Sequence, residues 1–327
     1  MGMARRKGKY NAIFWNRCRL ITVVWRNKMK KFFLIVSMIL INIISFGKLR
    51  VGVTLQPYYS FVANIVGDKM EVVPAIRGDI YDVHNYTAKP EDIKKMSTLN
   101  ILVVNGIGHD QFIYGIIKSA KMDGKIKIIN ANKGVSLMPV SGMRTNTRIM
   151  NPHSFISVTS SIQQVYTIAR ELGVIDPANK AYYSKNAQAY AQKLRNMKAA
   201  AIKKVNHLKN LNMKVATSHA GYDYLLSEFG LRVRAVIEPA HGVEPSASDI
   251  KAIIDIIKRD KIDVVFVDAQ VTNKYSTTIQ KATGVRIRSL SHMSRGAYTK
   301  DSFEKFMKYN LDSLTNAMLE VGKSRGK

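Results

Sequence analysis

Between Asn179 and Asn210 the chain runs for 32 residues without a glycine or a proline, in a segment rich in strong helix formers. Tyr183, Ala187, Tyr190, Leu194, Met197 and Ala201 recur at three- and four-residue intervals, so one face stays apolar for about six turns. Asp176-Pro177 just ahead reads as a start signal. At 1.5 Å per residue the segment predicts a rod of about 45 Å, enough to run the length of a two-lobed molecule.

On each side of this rod, four short β-rich runs alternate with helical patterns, the signature of parallel strands with crossover helices. The expected strands are 49–56, 70–76, 101–105 and 125–129 before it, and 213–218, 232–238, 263–268 and 285–290 after it. The fold class that follows is α/β: two parallel-sheet, Rossmann-like lobes joined by one long linking helix. The expected division is an upstream extension and signal peptide over 1–47, an N-terminal lobe over 48–178, the linking helix over 179–210 and a C-terminal lobe over 211–327. Ligands of open parallel sheets bind beyond the carboxyl ends of the strands, so two facing lobes imply a ligand cleft between them.

A formal charge of +28 raises the question of nucleic acid. Ten of the 51 basic residues fall in 1–47, which has no acidic residue, leaving 41 basic against 23 acidic residues beyond. That excess is scattered over helix and strand faces, with no arginine-rich tract and no base-stacking aromatic motif. It reads as a solvated basic surface, with no nucleic-acid partner expected.

From Met29, Lys30 and Lys31 lead into a mostly apolar run from Phe32 to Phe46, closed by Gly47. This is the layout of a secretory signal cut after Gly47, with Met29 as the natural start. The run reaches about 22 Å, short of a bilayer's roughly 30 Å core, although an uncleaved signal could serve as an anchor. The lone cysteine, Cys18, precedes the signal, so the exported chain needs no thiol chemistry and has no lipid-attachment cysteine after the apolar run. The expectation is a periplasmic or otherwise extracytoplasmic monomer.

Seven histidines remain to be placed. His219 ends the first strand of the second lobe, and His84 lies in the loop after the second strand of the first. His153 follows Asn151-Pro152, and His292 follows the last strand by two residues. A single loop histidine is usually a surface or hydrogen-bonded residue; four at corresponding strand ends suggest a metal site. Neutral imidazoles suit a tetrahedral Zn²⁺, whereas Mn²⁺ favours more oxygen donors. His109, in Asn105-Gly106-Ile107-Gly108-His109-Asp110, and His241 read as hydrogen-bonding loop residues or as groups behind the ligands; His207, among lysines, reads as solvent-facing. A zinc hydrolase would need an open coordination position and a base such as Glu238 or Asp268, and the chain has no His-Glu-x-x-His motif, so no enzyme is expected.

With these residues in view, the chain resembles the zinc- and manganese-binding solute-binding proteins of bacterial ABC importers, the TroA-like group, from Leu49 to the C-terminus. Asp82-x-His84-x-Tyr86-x-x-x-Pro90-x-Asp92 is similar to the family's first ligand loop, with Val83 where proline is usual. Asn151-Pro152-His153 resembles the Asp-Pro-His loop, Thr217-Ser218-His219 the third-ligand strand end, and Glu244-Pro245-Ser246-Ala247 a family turn. Asp176-Pro177, Asn186-Ala187 and Tyr190 match the pattern around the long helix. The resemblance implies extracytoplasmic metal capture and delivery to an ABC transporter membrane permease. It implies His84, His153 and His219 as ligands. The family's fourth ligand is an aspartate where this chain has Ser291-His292, leaving His292, Asp268 or water as the fourth donor. The family's long histidine- and acid-rich capture loop is absent here. A binding protein for a chelated metal or other small ligand, and a metal-containing surface adhesin, stand as alternatives.

Overall fold

Val51, Val53 and the whole of Ile101–Val104 are buried, because these strands lie in the middle of a sheet covered on both faces. The computed structural model describes residues 47–76, 86–142, 150–208, 210–238, 243–270 and 274–327, together with Trp25 and Met29. The chain divides into two compact units, Met1–Lys48 and Leu49–Lys327; the architecture below is that of the second. Most of the expected signal segment lies outside the described residues. Among those described, no helix is long and apolar enough to cross a membrane.

Strands β1 (Arg50–Val53), β2 (Glu71–Pro74), β3 (Ile101–Val104) and β4 (Lys127–Asn130) form one parallel sheet in the order β2-β1-β3-β4. Strands β5 (Val215–Thr217), β6 (Val233–Val236), β7 (Val264–Asp268) and β8 (Arg286–Leu290) form a second in the order β6-β5-β7-β8. Both halves thus carry the same winding, which reverses between the first and third strand of each sheet. That reversal opens a crevice at the carboxyl ends.

The helices are α1 (Gln56–Val66), α2 (Pro90–Met96), α3 (Phe112–Ser119), α4 (Val158–Ile175), α5 (Lys180–Val205), α6 (Asp223–Ser227), α7 (Ala247–Asp260), α8 (Lys274–Thr283) and α9 (Ser302–Ser324). Two expectations need correction. The first strand was expected to reach residue 56, but Gln56 opens α1, because Pro57 has no N–H to give a ladder and its fixed φ suits a first helical turn. The rod is also shorter than 179–210: α5 has 26 residues, about 39 Å, followed by one 3₁₀ turn at Asn206–Leu208. Asn210 and Asn212 then take left-handed φ values of 64° and 46°, a conformation asparagine tolerates and a helix does not.

Tyr183, Ala187, Tyr190, Leu194 and Ala201 form the buried face of α5. Its start is tied down by Asp176, whose Oδ2 accepts hydrogen bonds from Tyr183 Oη (2.6 Å) and Asn179 Nδ2 (2.8 Å). Halfway along, the buried carboxylate of Glu304 accepts from Tyr190 Oη (2.8 Å) and Lys193 Nζ (2.7 Å). Glu304 belongs to α9, which follows the second sheet in sequence yet packs on α1 and α5. Phe303 meets Phe61 edge-on at 4.7 Å, and Ser60 Oγ accepts the Phe303 N–H. A single apolar core therefore runs from Val51 through the linking helix to Val321, with a smaller cluster around Ile253, Val265 and Ile279.

Candidate metal centre

Four histidines from four separate strand-end loops meet where the two sheets present their carboxyl ends. His109 follows β3, His153 lies between β4 and α4, His219 follows β5, and His292 follows β8. Ring centroids of His153 stand 4.8 Å from His109, 4.9 Å from His219 and 4.8 Å from His292, and His219 and His292 are 4.8 Å apart. Ring nitrogens of His109, His153 and His292, one from each, all lie within 4.8 Å of one another, close enough to hold an ion. The Nε2 atoms of His153 and His219 approach to 3.3 Å.

Two of these rings have an acceptor behind their outer nitrogen. Asn151 Oδ1 lies 2.8 Å from His153 Nδ1, and its amide orientation is set because Nδ2 donates to Asp223 Oδ2 (2.7 Å) and Ala220 O (3.1 Å). Glu238 Oε2 lies 2.9 Å from His219 Nδ1. Both oxygens only accept, so both Nδ1 atoms are donors; when both rings are neutral, as metal ligation requires, their Nε2 atoms present lone pairs toward each other. A 3.3 Å approach suits a hydrogen bond when one ring is protonated and a shared cation when both are neutral. Adjacent nitrogens around a tetrahedral zinc, at about 2.0–2.1 Å from the metal, would stand about 3.3–3.4 Å apart. Histidines held from behind by an amide or a carboxylate are the usual supported metal ligands.

The loops are built to hold these rings. The buried carboxylate of Asp110 accepts from Thr54 Oγ1 (2.6 Å), Asn105 N (2.6 Å) and Gly106 N (3.1 Å), tying the His109 loop to the end of β1. Gly106 and Gly108 take positive φ values of 71° and 107°, which lets the chain double back there. At the other sheet, Asn310 of α9 grips both backbone groups of Ser291, accepting its N–H (2.6 Å) and donating to its carbonyl (2.9 Å). Met293, with φ 60°, then turns the chain sharply after His292. Gly221 faces both second-half histidines: a Cβ there would lie 2.9 Å from His219 Cδ2 and 3.2 Å from His292 Cδ2. Gly221→Ala is therefore expected to displace both rings and weaken metal binding by roughly tenfold with the fold retained; calorimetric titration beside a thermal melt checks this.

The other sequence candidates are placed as follows. Asp268 is buried at the end of β7, where Oδ1 accepts from Gln270 N (2.8 Å), and burial pushes its carboxyl up to about 6. Ser291 uses Oγ to accept the Met293 N–H (3.1 Å) and so serves the turn. His207 is exposed on its 3₁₀ turn. His84 and His241 lie outside the described residues. What remains visible of the first motif is a clamp: Tyr86 Oη donates to Asp92, which caps α2 through the Lys89 N–H (2.9 Å). The Glu244-Pro245-Ser246-Ala247 turn is a helix cap, with Ser246 Oγ accepting Asp249 N (3.2 Å). Asn151, Asp223 and Gly221 were not found as supporting residues from sequence, and Glu238 was considered only as a base. The Asn151-Pro152-His153 spacing, which sets an amide two residues before a histidine, was the available signal.

Two parallel α/β halves that bring histidines together at their strand ends define a binding protein for a metal cation. Comparison with known proteins agrees. Residues 51–317 match the family described as zinc-uptake complex component A, periplasmic, and the chain belongs to that family. The solute-binding protein FpvC of Pseudomonas aeruginosa, solved with Mn²⁺, superposes with a TM-score of 0.80 at 47% identity, covering 84% of this chain and 100% of that one. The same protein solved with Ni²⁺ gives 0.79 and 46%, covering 84% and 98%. The metal ABC transporter substrate-binding lipoprotein SsaB of Streptococcus sanguinis is 26% identical over 282 residues, 83% of this chain and 90% of its own. The manganese ABC transporter substrate-binding lipoprotein PsaA of Streptococcus pneumoniae is 26% identical over 284 residues, 84% and 90%. The chain is thus an extracytoplasmic metal-binding protein of an ABC transporter, which works with a membrane permease and is not an enzyme.

Proposed function

We propose that the chain captures zinc outside the cytoplasmic membrane and hands it to its permease. The observation that carries this reading is the 3.3 Å approach of His153 Nε2 and His219 Nε2, each with its Nδ1 proton already committed to an acceptor. An all-imidazole donor set favours late first-row cations and leaves few oxygens for manganese. His153, His219 and His292 bind the ion, joined by His84 as the fourth donor. Asp268, whose Oδ1 accepts the Gln270 N–H, is not among these donors. The protein acts as a monomer, makes no use of nucleic acid, and reaches its compartment through the segment from Met29 to Gly47.

A second reading has a specific observation behind it: the relative at 47% identity was solved with Mn²⁺ and at 46% with Ni²⁺. Metal content of protein purified without chelator or nickel affinity resin, followed by Zn²⁺, Mn²⁺ and Ni²⁺ competition, decides between them. Zinc is expected to be retained and to displace manganese; displacement of zinc by equimolar manganese would overturn the zinc assignment.

A further inference from the structure

We infer that the end of the first sheet where its strands begin is a docking face for anionic phospholipid, holding the protein against the membrane that carries its permease. The face lies at the opposite end of that sheet from His109 and His153 and does not depend on which metal is bound.

Parallel strands all start at one end of their sheet. Here the starts form one row: Arg50 stands opposite Glu71, Asn100 Oδ1 accepts the Arg50 N–H (2.8 Å), and Asn100 O accepts the Lys127 N–H (3.0 Å). The crossover helices run the other way and finish at this end. The last turns of α2 and α3, which pack on each other, therefore bring Lys94, Lys95 and Lys118 to the strand starts. The turn from α3 into β4 adds Lys121 and Lys125, and β4 opens on Lys127. All six are exposed except Lys95, which is half-buried. Arg50 is paired with Glu71 (2.9 Å) and Lys69 with Asp68 (3.9 Å), whereas none of these six lysines has an ion-pair partner among the described residues. At the metal end of the same sheet the balance differs: the described loops carry Lys89 and Lys133 against Glu91, Asp92 and Asp110.

Ordinary structural roles account for only part of this set. A lysine in a last helical turn suits the helix dipole, and Lys127 guards the edge strand β4 against pairing with another chain. The turn holding Lys121 and Lys125 needs neither service. Like charges gathered at one end repel one another, and a plane of lipid phosphates turns that repulsion into attraction. Each lysine beside an anionic membrane strengthens binding about fivefold, with a reach of about 8 Å at physiological salt. The second sheet also begins among basic residues, Arg232, Arg234, Lys258 and Lys261, but the chain settles which end faces the lipid. Leu49 leads into β1, so the apolar run that ends at Gly47 joins the fold at the first sheet's starting end. Attachment there raises the local concentration of the protein around its permease and leaves the strand-end cleft open to metal.

Lysine acetylation of the full chain bound to vesicles reads the face directly. On vesicles of equal parts phosphatidylglycerol and phosphatidylcholine, Lys118, Lys121, Lys125 and Lys127 are expected to react at least about tenfold more slowly than on phosphatidylcholine alone, and Lys258 and Lys261 to change less than about twofold. Lys118→Gln, Lys121→Gln, Lys125→Gln and Lys127→Gln together should cut the preference for mixed over neutral vesicles at least about thirtyfold. Arg232→Gln, Arg234→Gln, Lys258→Gln and Lys261→Gln together remove the same charge from the other sheet and should change it less than about threefold. Metal affinity should be the same in both variants. Equal shielding of the two lysine groups, or equal losses in the two variants, would overturn the inference in favour of net charge alone. Bound protein with no shielding would overturn it too, leaving the apolar run as the anchor. Duplex DNA held more tightly than mixed vesicles at equal phosphate, and lost in the first variant, would give the face to nucleic acid instead. Shielding as expected in a protein that takes up no metal would uphold this inference while removing the metal reading.

Discussion

Taking the protein from pH 7.5 to pH 5 is expected to weaken its hold on metal by roughly a thousandfold or more. Each ligating imidazole must be neutral, and an ordinary histidine takes up its proton near ~6.5, so at pH 5 protons occupy it about thirtyfold in excess. Three independent ligands would multiply to about 10⁴; repulsion between neighbouring imidazolium groups, whose ring centres stand under 5 Å apart, limits how many protons bind and reduces the effect. Acid unfolding through the buried carboxylates does not mimic this loss. Burial pushes Asp223 and Asp268 up to about 6, above the ordinary carboxylate value of ~3.9. For such groups the folded state takes up protons first, so their contribution to stability is lost as pH rises between about 4 and 6 and recovered on acidification. Metal titrations at the two pH values, with circular dichroism at each, separate the effects. Equal affinities at both would exclude histidine ligation.

The fold was legible in the sequence where it rests on local periodicity. All eight strands appear within a few residues of their expected positions, because a buried parallel strand must be a short apolar run whatever it packs against. The linking helix showed itself through its spacing of Tyr183, Ala187, Tyr190 and Leu194. Where the reading slipped, at Gln56 and at the end of α5, a single residue's backbone preference decided the boundary. The centre was legible only in part. Histidines at strand tips can be listed from sequence, but which way a ring faces depends on contacts made far along the chain. His109 is turned into the cluster by an Asp110 clamp that reaches back to Thr54, 56 residues earlier. Glu238 supports His219 from 19 residues away, and Asp223 supports Asn151 from 72. Such partners are set by the winding of the sheets, which brings β5 beside β6 and β7, and no local pattern announces them.

His153→Ala is expected to lower metal affinity by about a hundredfold or more, about 3 kcal/mol, the largest loss from any single described histidine. His153 is fully buried, its ring centre lies within 5 Å of those of His109, His219 and His292, and it alone belongs to both nitrogen groupings. The residues behind it give a graded series that tests the mechanism and not the position alone. Asn151→Ala removes the acceptor for His153 Nδ1 and also the acceptor for the His153 backbone N–H (3.0 Å), so it should cost roughly tenfold by freeing the ring and its tautomer. Asp223→Asn lies one step further out. There the amide of Asn151 loses a charged acceptor at 2.7 Å, but the neutral amide oxygen introduced in its place can still accept, so the loss should be a few-fold at most. Asn151→Asp would set a second carboxylate against Asp223, already pushed up by burial to about 6, and the two would share a proton. That variant should keep tight binding, because one shared negative charge still supports the His153 Nδ1 proton, and its affinity should become more sensitive to pH than that of the parent. Calorimetric titration of the four variants at pH 7.5 reads the order directly. A loss in His153→Ala no larger than that in Asn151→Ala would show that His153 does not bind the metal itself.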